Sequence, residues 1–193
     1  MSRRIVILQG HPDAGAPHLC HALADAYARG AEDAGHDVRR IEVARLDFPL
    51  LRSAKDWSEG TPSPDIMTAQ GAIAWADHLV LLYPLWLGTM PALVKAFLEQ
   101  VLRPGLAATS DADRNSVHLK GKSARVVVTM GMPAFVYRWY FGAHSLKSLE
   151  RNVLKFCGIR PVRESLFGMV EAASDKTRQG WLDKMRALGA KAS

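Results

Sequence analysis

Cysteine is scarce in this chain, because Cys20 and Cys157 are the only two thiols among its 193 residues. Two cysteines cannot form the framework of several bridges that holds small secreted domains together, and a chain of this length can bury a core without one. The composition is therefore compatible with a reducing environment, and we expect a cytoplasmic protein with a single domain over residues 1–193.

Long apolar runs and concentrated positive charge are also lacking. No apolar run approaches the roughly 20 residues that a membrane-spanning helix needs, and the run at residues 5–8 is too short for a secretory signal. The net charge of +6 favours anionic ligands such as phosphates. However, the basic residues form isolated pairs such as Arg3-Arg4 rather than a stripe. We therefore expect no membrane insertion and no nucleic-acid partner.

Short apolar runs alternate with helix-period patterns along the chain. Five runs predict strands, and the patterns between and after them predict helices. Such alternation predicts an α/β fold with a five-stranded parallel sheet of order 2-1-3-4-5 between helix layers. We interpret residues 44–64 as a long loop and residues 104–121 as a mobile surface loop. The predicted strands are at 5–8, 38–43, 79–83, 124–129 and 159–169, and the predicted helices are at 18–34, 65–76, after Thr89, at 145–157 and from about 174.

Ligands of such a sheet bind over the loops that follow strands one, three and four. The first of these, residues 10–18, leads into a helix N-terminus, where free N–H groups and the helix dipole attract anions. His11 and His18 can donate further hydrogen bonds to a phosphate. No Walker sequence follows and the Gly-x-Gly-x-x-Gly pattern is absent, so an ordinary capped turn remains the alternative.

A metal site is a second alternative for this loop. His18, Cys20 and His21 are borderline metal ligands close together in sequence, with Asp13 nearby. However, His18 and Cys20 are two residues apart and would point to different sides of a helix. No second ligand pair with zinc spacing occurs elsewhere, and we predict no metal.

The second loop, residues 84–90, is apolar where surface turns usually carry Ser, Asn or Asp. An apolar turn at the carboxyl end of a strand favours a wall for a flat, largely apolar ligand. The alternative is that Trp86 and Leu87 merely plug the end of the sheet. The third loop, residues 130–144, contains Gly131, which permits close approach of a ligand to the backbone. It also holds five aromatic residues, which equally suit an oligomer interface.

Taken together, these loops resemble those of the flavodoxin-like NAD(P)H:quinone oxidoreductase family, which includes mammalian quinone reductases, bacterial drug-activity modulators and ancillary oxidoreductases of potassium efflux systems. Residues 84–95 are close to the family motif Pro-Leu-x-Trp/Phe-x-Gly-x-Pro-Ala-x-x-Lys and carry the most specific part of the resemblance. Further similarity lies in Gly10-His11-Pro12 with the later Ala22-Leu23, in Thr129-Met130-Gly131-Met132 with Tyr137, and in Phe156-Cys157-Gly158.

The resemblance implies a flavodoxin-like three-layer sandwich and an enzyme that uses bound flavin, FMN by preference and FAD as the alternative. NAD(P)H would reduce the flavin, and a quinone or similar electrophile would take the hydride in a second, ping-pong step. A homodimer is also implied. The implied catalytic residues are Tyr137 and His144. The implied cofactor-binding residues are His11, His18, Leu19, Cys20, Pro84, Leu85, Trp86, Leu87, Gly88, Thr129, Met130 and Gly131.

Two departures and two competing functions accompany the resemblance. His18 replaces a serine that often binds phosphate in relatives, and Met130 and Met132 replace Thr and Gly, so we expect a different phosphate grip and a differently lined flavin edge. A one-electron carrier of the flavodoxin type is one alternative, although such carriers are usually acidic and this chain is basic. The other is a flavin-binding regulatory subunit that contacts a membrane transporter peripherally.

Overall fold

The computed structural model describes residues 2–104 and 119–193 and is built around a sheet of five parallel strands. The observed strand order is β2-β1-β3-β4-β5, as predicted. Most of the predicted loop at residues 104–121 lies outside the described residues. The strands are β1 (Arg4–Gln9), β2 (Asp37–Glu42), β3 (His78–Pro84), β4 (Ser123–Thr129) and β5 (Val162–Phe167).

Helices pack on both faces of this sheet and divide the core into two clusters. One cluster includes Val94 and Phe97, and the other includes Tyr27 and Met185. Within the described residues, none of the helices combines the length and the apolar character needed to cross a membrane. The helices are α1 (Leu19–Asp33), α2 (Ala54–Glu59), α3 (Pro64–Trp75), α4 (Ala92–Val101), α5 (His144–Ser148) and α6 (Asp175–Ala190), with π-helical segments at Val136–Tyr140 and Leu149–Leu154.

The central strand β3 fixes the position of the loops. All seven of its residues are buried, because helices cover both faces of the sheet. In the parallel register Gln9 is opposite Leu82, and Thr129 is opposite Pro84. The carboxyl ends of β1, β3 and β4 therefore meet at one edge, which positions the three predicted loops side by side.

Several local predictions were wrong. The segment predicted as a loop at residues 44–64 contains α2, whose N-cap Ser53 accepts a hydrogen bond from the Asp56 N–H. Thr89 does not cap the next helix, because α4 begins later, with Pro91 at the N-cap position. The helix predicted at residues 145–157 is divided into α5 and the π-helical segment Leu149–Leu154.

Candidate functional site

The second loop forms a tight turn that projects from the carboxyl edge of the sheet. The Trp86 N–H donates to the Thr89 carbonyl at 2.8 Å, and the Thr89 N–H donates back to Trp86 at 3.0 Å. Leu87 and Gly88 between them have positive φ angles of 48° and 77°, as a type I′ turn requires. Leu87 is fully exposed and Trp86 is half-exposed, so these two side chains do not plug the end of the sheet.

The hydrogen bonds of this loop leave two N–H groups available. Pro84 has no N–H, the Leu85 N–H donates to the Thr129 carbonyl at 2.7 Å, and the Trp86 N–H closes the turn. The Leu87 and Gly88 N–H groups have no acceptor within the described residues. Five residues of this loop were predicted to line a ligand. Leu87 and Gly88 offer free backbone donors, and Trp86 and Leu87 offer the apolar surface.

The first loop is organised by a pair of stacked histidines. The rings of His11 and His18 are 3.7 Å apart with an interplanar angle of 21°. His18 Nε2 lies 2.8 Å from the Asp13 carboxylate, which also accepts from the Gly15 N–H. The hydrogen bond from His18 lowers the pKa of Asp13, and burial together with the neighbouring His18 lowers the pKa of His11. Asp13, which the sequence suggested only as a possible metal ligand, therefore orients His18.

The N-terminus of α1 follows directly and has two free backbone donors. Within the described residues, the N–H groups of Leu19 and Cys20 have no acceptor, whereas the His18 N–H donates to His21 Nδ1 at 3.3 Å. Free N–H groups at this end of a helix carry partial positive charge and favour an anion. The phosphate-binding prediction for this turn therefore has a physical basis in the structure.

Two predicted side chains are turned away from the open surface. Cys20 is buried, its Sγ lies 3.1 Å from the Thr129 hydroxyl, and burial raises the pKa of its thiol to about 11. Thr129 is likewise buried, and its carbonyl already accepts from Leu85. Because both side chains pack inside, Cys20 can contribute to a ligand site only through its backbone, and Thr129 supports the second loop instead of binding a ligand.

The third loop also corrects a prediction. Met130 is buried, and its N–H donates to the Phe167 carbonyl at 2.9 Å, so neither its side chain nor its N–H faces a ligand. The Gly131 N–H, by contrast, has no acceptor among the described residues. The Gly131 N–H therefore remains available as a donor to a ligand.

The two predicted catalytic side chains have opposite environments. Tyr137 is 2% exposed, its hydroxyl accepts from the Leu146 N–H at 3.3 Å, and burial raises its pKa. The prediction that this phenol faces an electron acceptor is not what the structure shows, because the π-helical turn directs it into the core. His144 is exposed at the start of α5 and lies against Gly142, so its ring is accessible from solvent.

Two side-chain contacts that the sequence does not reveal join the three loops. The rings of His11 and Trp86 are 6.2 Å apart, edge to face, and connect the first loop with the second. The Ser145 hydroxyl donates to Thr89 Oγ1 at 2.8 Å and connects the second loop with α5. Neither contact has a motif of its own, because each joins residues that are distant in sequence.

The resulting site is an open face at the carboxyl edge of the sheet. Aromatic side chains with 50% or more of their surface exposed extend it on the third loop. Within residues 2–104 and 119–193, no group of three or more His, Cys, Asp or Glu is arranged to hold a metal ion. The exposed aromatic residues of the third loop are Phe135, Trp139, Tyr140 and Phe141.

Comparisons with known proteins identify the fold family of this chain. A family model described as a flavodoxin-like fold matches residues 3–188. An uncharacterized NAD(P)H oxidoreductase of Haemophilus influenzae is 26% identical over 92% of this chain and 90% of its own length. NAD(P)H dehydrogenase [quinone] 1 of Cavia porcellus is 29% identical over 96% of this chain and 77% of its own. The crystal structure of an FMN-dependent NADH-azoreductase from Bacillus anthracis, in complex with FMN, has a TM-score of 0.71, 14% identity, and coverage of 99% of both chains.

Proposed function

The chain belongs to the flavodoxin-like fold family, and from this premise we propose that it is a flavin-dependent NAD(P)H oxidoreductase that reduces a quinone or a similar electrophile. The observation that carries the proposal is the exposed apolar turn at residues 86–89, whose free N–H groups lie beside a histidine-lined helix N-terminus. A planar ring with an anionic tail needs both features side by side.

We infer that FMN is the flavin. The H. influenzae and C. porcellus relatives are named as NAD(P)H oxidoreductases, and the B. anthracis azoreductase is described as FMN-dependent. The first loop ends in one anion site of two free N–H groups, at Leu19 and Cys20, which suits a single phosphate. When bound, FMN supplies the ring that takes a hydride from NAD(P)H and passes it to the acceptor.

The residues of the chain bind, orient and shield this ring. Trp86 and Leu87 supply an apolar wall, and the N–H groups of Leu87, Gly88 and Gly131 are donors for polar atoms at the edge of the ring. Donors fixed in advance near a position where negative charge develops stabilise that charge. We propose that His18, whose Nε2 is held by Asp13, donates to the phosphate through Nδ1.

The acceptor is expected to bind against the third loop. Its exposed aromatic residues provide surface for a flat electrophile, and the same surface suits a second copy of the chain. His144 is the accessible titratable side chain of the predicted pair and is our candidate for contact with the acceptor. We further propose a homodimer in the cytoplasm, in which the partner subunit completes the open face.

Flavin content and turnover test the central proposal. The absorbance spectrum of the purified protein, with mass analysis of the released flavin, should identify FMN. NAD(P)H should be consumed with menadione as the acceptor, in a ping-pong pattern of initial rates. A protein that takes up neither FMN nor FAD contradicts the proposal, and flavin binding without menadione-stimulated turnover favours the carrier or regulatory role.

The His18→Ala variant tests the phosphate grip. Loss of one hydrogen bond to a charged group corresponds to about 1.5–3 kcal/mol, so we expect the Kd for FMN to rise about tenfold or more. Riboflavin lacks the phosphate, and its Kd should be unchanged. Fluorescence titration measures both, with His36→Ala, which removes a histidine that hydrogen-bonds to Arg3 and Ala190 away from the site, as the control. Equal weakening for FMN and riboflavin would contradict a phosphate contact.

A further inference from the structure

A second concave site lies at the amino edge of the sheet, opposite the proposed flavin site. It is a cavity of about 560 Å³ whose floor is formed where strands β1, β3, β4 and β5 begin. The chain after α6 closes one side. None of the residues predicted to bind flavin or to act in catalysis belongs to its wall.

The wall of this cavity is strongly cationic. Arg3, Arg160, Arg163 and Lys191 line it, and none of the four forms an ion pair within the described residues. The one acidic side chain in the wall, Asp77, is already bound by Arg4 outside it, at 2.6 Å. Four cations around one concave space raise its positive potential, because low-dielectric walls focus the field.

A buried histidine with an unused ring nitrogen belongs to the same wall. His78 is 1% exposed, its Nδ1 lies 2.7 Å from the Ser123 hydroxyl, and its Nε2 has no hydrogen-bond partner. When Ser123 donates to Nδ1, the proton of the neutral ring resides on Nε2, which is then a donor without an acceptor. Buried polar atoms are normally satisfied, so Nε2 is an unusual unpartnered donor just beneath the wall of this cavity.

The electrostatics of His78 agree with this picture. Burial, together with the positive charges of Arg125, Arg3 and Arg163, lowers its pKa to about 3. The imidazole is therefore neutral at physiological pH although it lies among cations. The last turn of the chain engages two of these arginines, because the Ala192 carbonyl accepts from Arg3 and the Ser193 carbonyl accepts from Arg125.

We propose that this cavity binds a small molecule with two or more oxyanion charges, of the phosphate or polycarboxylate class. Guanidinium groups present paired donors that fit the oxygens of both classes. Arg160, Arg163, Arg3 and Lys191 bind the charged oxygens at the rim, and His78 lies beneath the innermost oxygen. The concave shape and the volume of about 560 Å³ suit a small molecule. The site is independent of flavin binding and of the proposed reaction.

The matched charge variants R160Q/R163Q and R29Q/R151Q test the proposal. The first pair removes two arginines of the cavity wall, and the control pair removes two exposed arginines elsewhere that likewise have no ion pair within the described residues. Calorimetric titration with pyrophosphate and with citrate, at constant ionic strength, measures binding to the parent protein and to both variants. The imidazole resonances of His78 are followed in the same titrations.

Saturable binding of pyrophosphate or citrate is expected, with an affinity at least about tenfold lower in R160Q/R163Q and unchanged in R29Q/R151Q. The His78 resonances should shift on binding to the parent protein. Stronger binding of pyrophosphate assigns the site to phosphates, and stronger binding of citrate assigns it to polycarboxylates. No saturable binding of either probe overturns the proposal. The proposal is also overturned if R160Q/R163Q binds the anion as tightly as the parent protein, or if the His78 resonances do not shift on binding. In either case the anion binds elsewhere.

Discussion

At the scale of single residues, Leu87 combines an exposed apolar side chain with an unfavourable backbone. A left-handed conformation costs an L-residue about 1–2 kcal/mol, and a fully exposed leucine gains no burial in return. Asparagine tolerates this conformation and suits a type I′ turn. We therefore expect Leu87→Asn to raise the free energy of unfolding of the flavin-free protein by about 0.5–1 kcal/mol.

The same substitution should weaken flavin binding, because it removes apolar surface from the proposed wall. Chemical denaturation of the flavin-free protein and fluorescence titration with FMN measure the two effects separately. A variant that gains stability and binds FMN as tightly as the parent protein would show that Leu87 does not contact the ring.

Individual residues also show which features of the site could not be predicted from the sequence. The motif at residues 84–88 located the loop but did not distinguish the bonded N–H of Leu85 from the free N–H groups of Leu87 and Gly88. That distinction depends on pairing with Thr129, which is distant in sequence. The burial of Tyr137 has no signal in the sequence for a similar reason, since a π-helical turn changes which side chains face inward and has no simple periodic signature.

At the scale of elements, hydrophobic periodicity predicted the five strands and their order, because a buried parallel strand such as β3 is a nearly continuous apolar run. It did not predict α2, which has no buried residue and therefore no apolar stripe. It also did not reveal how closely α1 and α6 approach each other. A Cβ at Gly189 would come within 2.0 Å of the Tyr27 carbonyl oxygen, and one at Gly30 within 2.0 Å of the Arg186 carbonyl oxygen.

This close approach predicts opposite outcomes for two glycines of the same helix. Gly189→Ala should separate α6 from α1 and lower the free energy of unfolding by about 1–3 kcal/mol, although alanine is the better helix former. Gly180→Ala in α6 meets no atom within 4 Å and should raise it by up to about 1 kcal/mol. Urea denaturation of both variants measures the difference. Stabilisation by both substitutions would mean that the helices are not in contact at Gly189.

At the scale of the whole molecule, the two edges of the sheet differ in chemistry. The carboxyl edge presents exposed aromatic and apolar side chains beside free N–H groups, whereas the amino edge presents cations around a buried histidine. Because the fold separates these sites by the full length of the strands, a change in charge at the amino edge should leave the flavin site unaltered. It can nevertheless affect the stability of the entire domain, since His78 belongs to the fully buried central strand.

Because His78 is buried in its neutral form, we expect the free energy of unfolding to fall in acid. Its pKa is about 3 in the folded protein and about 6.5 when exposed, so the unfolded chain binds the proton more readily. The stabilising effect of the neutral ring is complete above about pH 6.5 and is lost as the pH falls towards 3, by about 1.4 kcal/mol per pH unit. Asp77, whose pKa is lowered to about 2 by Arg4, adds a loss in the same direction below about pH 4.

Urea denaturation of the parent protein and of His78→Gln between pH 7 and pH 4 isolates the contribution of this histidine, because glutamine does not titrate. The parent should lose about 2 kcal/mol between pH 6.5 and pH 4.5 from His78 alone. The free energy of unfolding of the variant, whatever its value at pH 7, should fall by that much less over the same pH range. Any pH dependence that remains includes the contribution of His11, whose pKa is also lowered. Equal slopes would show that His78 is not buried in its neutral form. Titration of the His78 imidazole resonances of the parent protein gives the same answer if the variant does not fold.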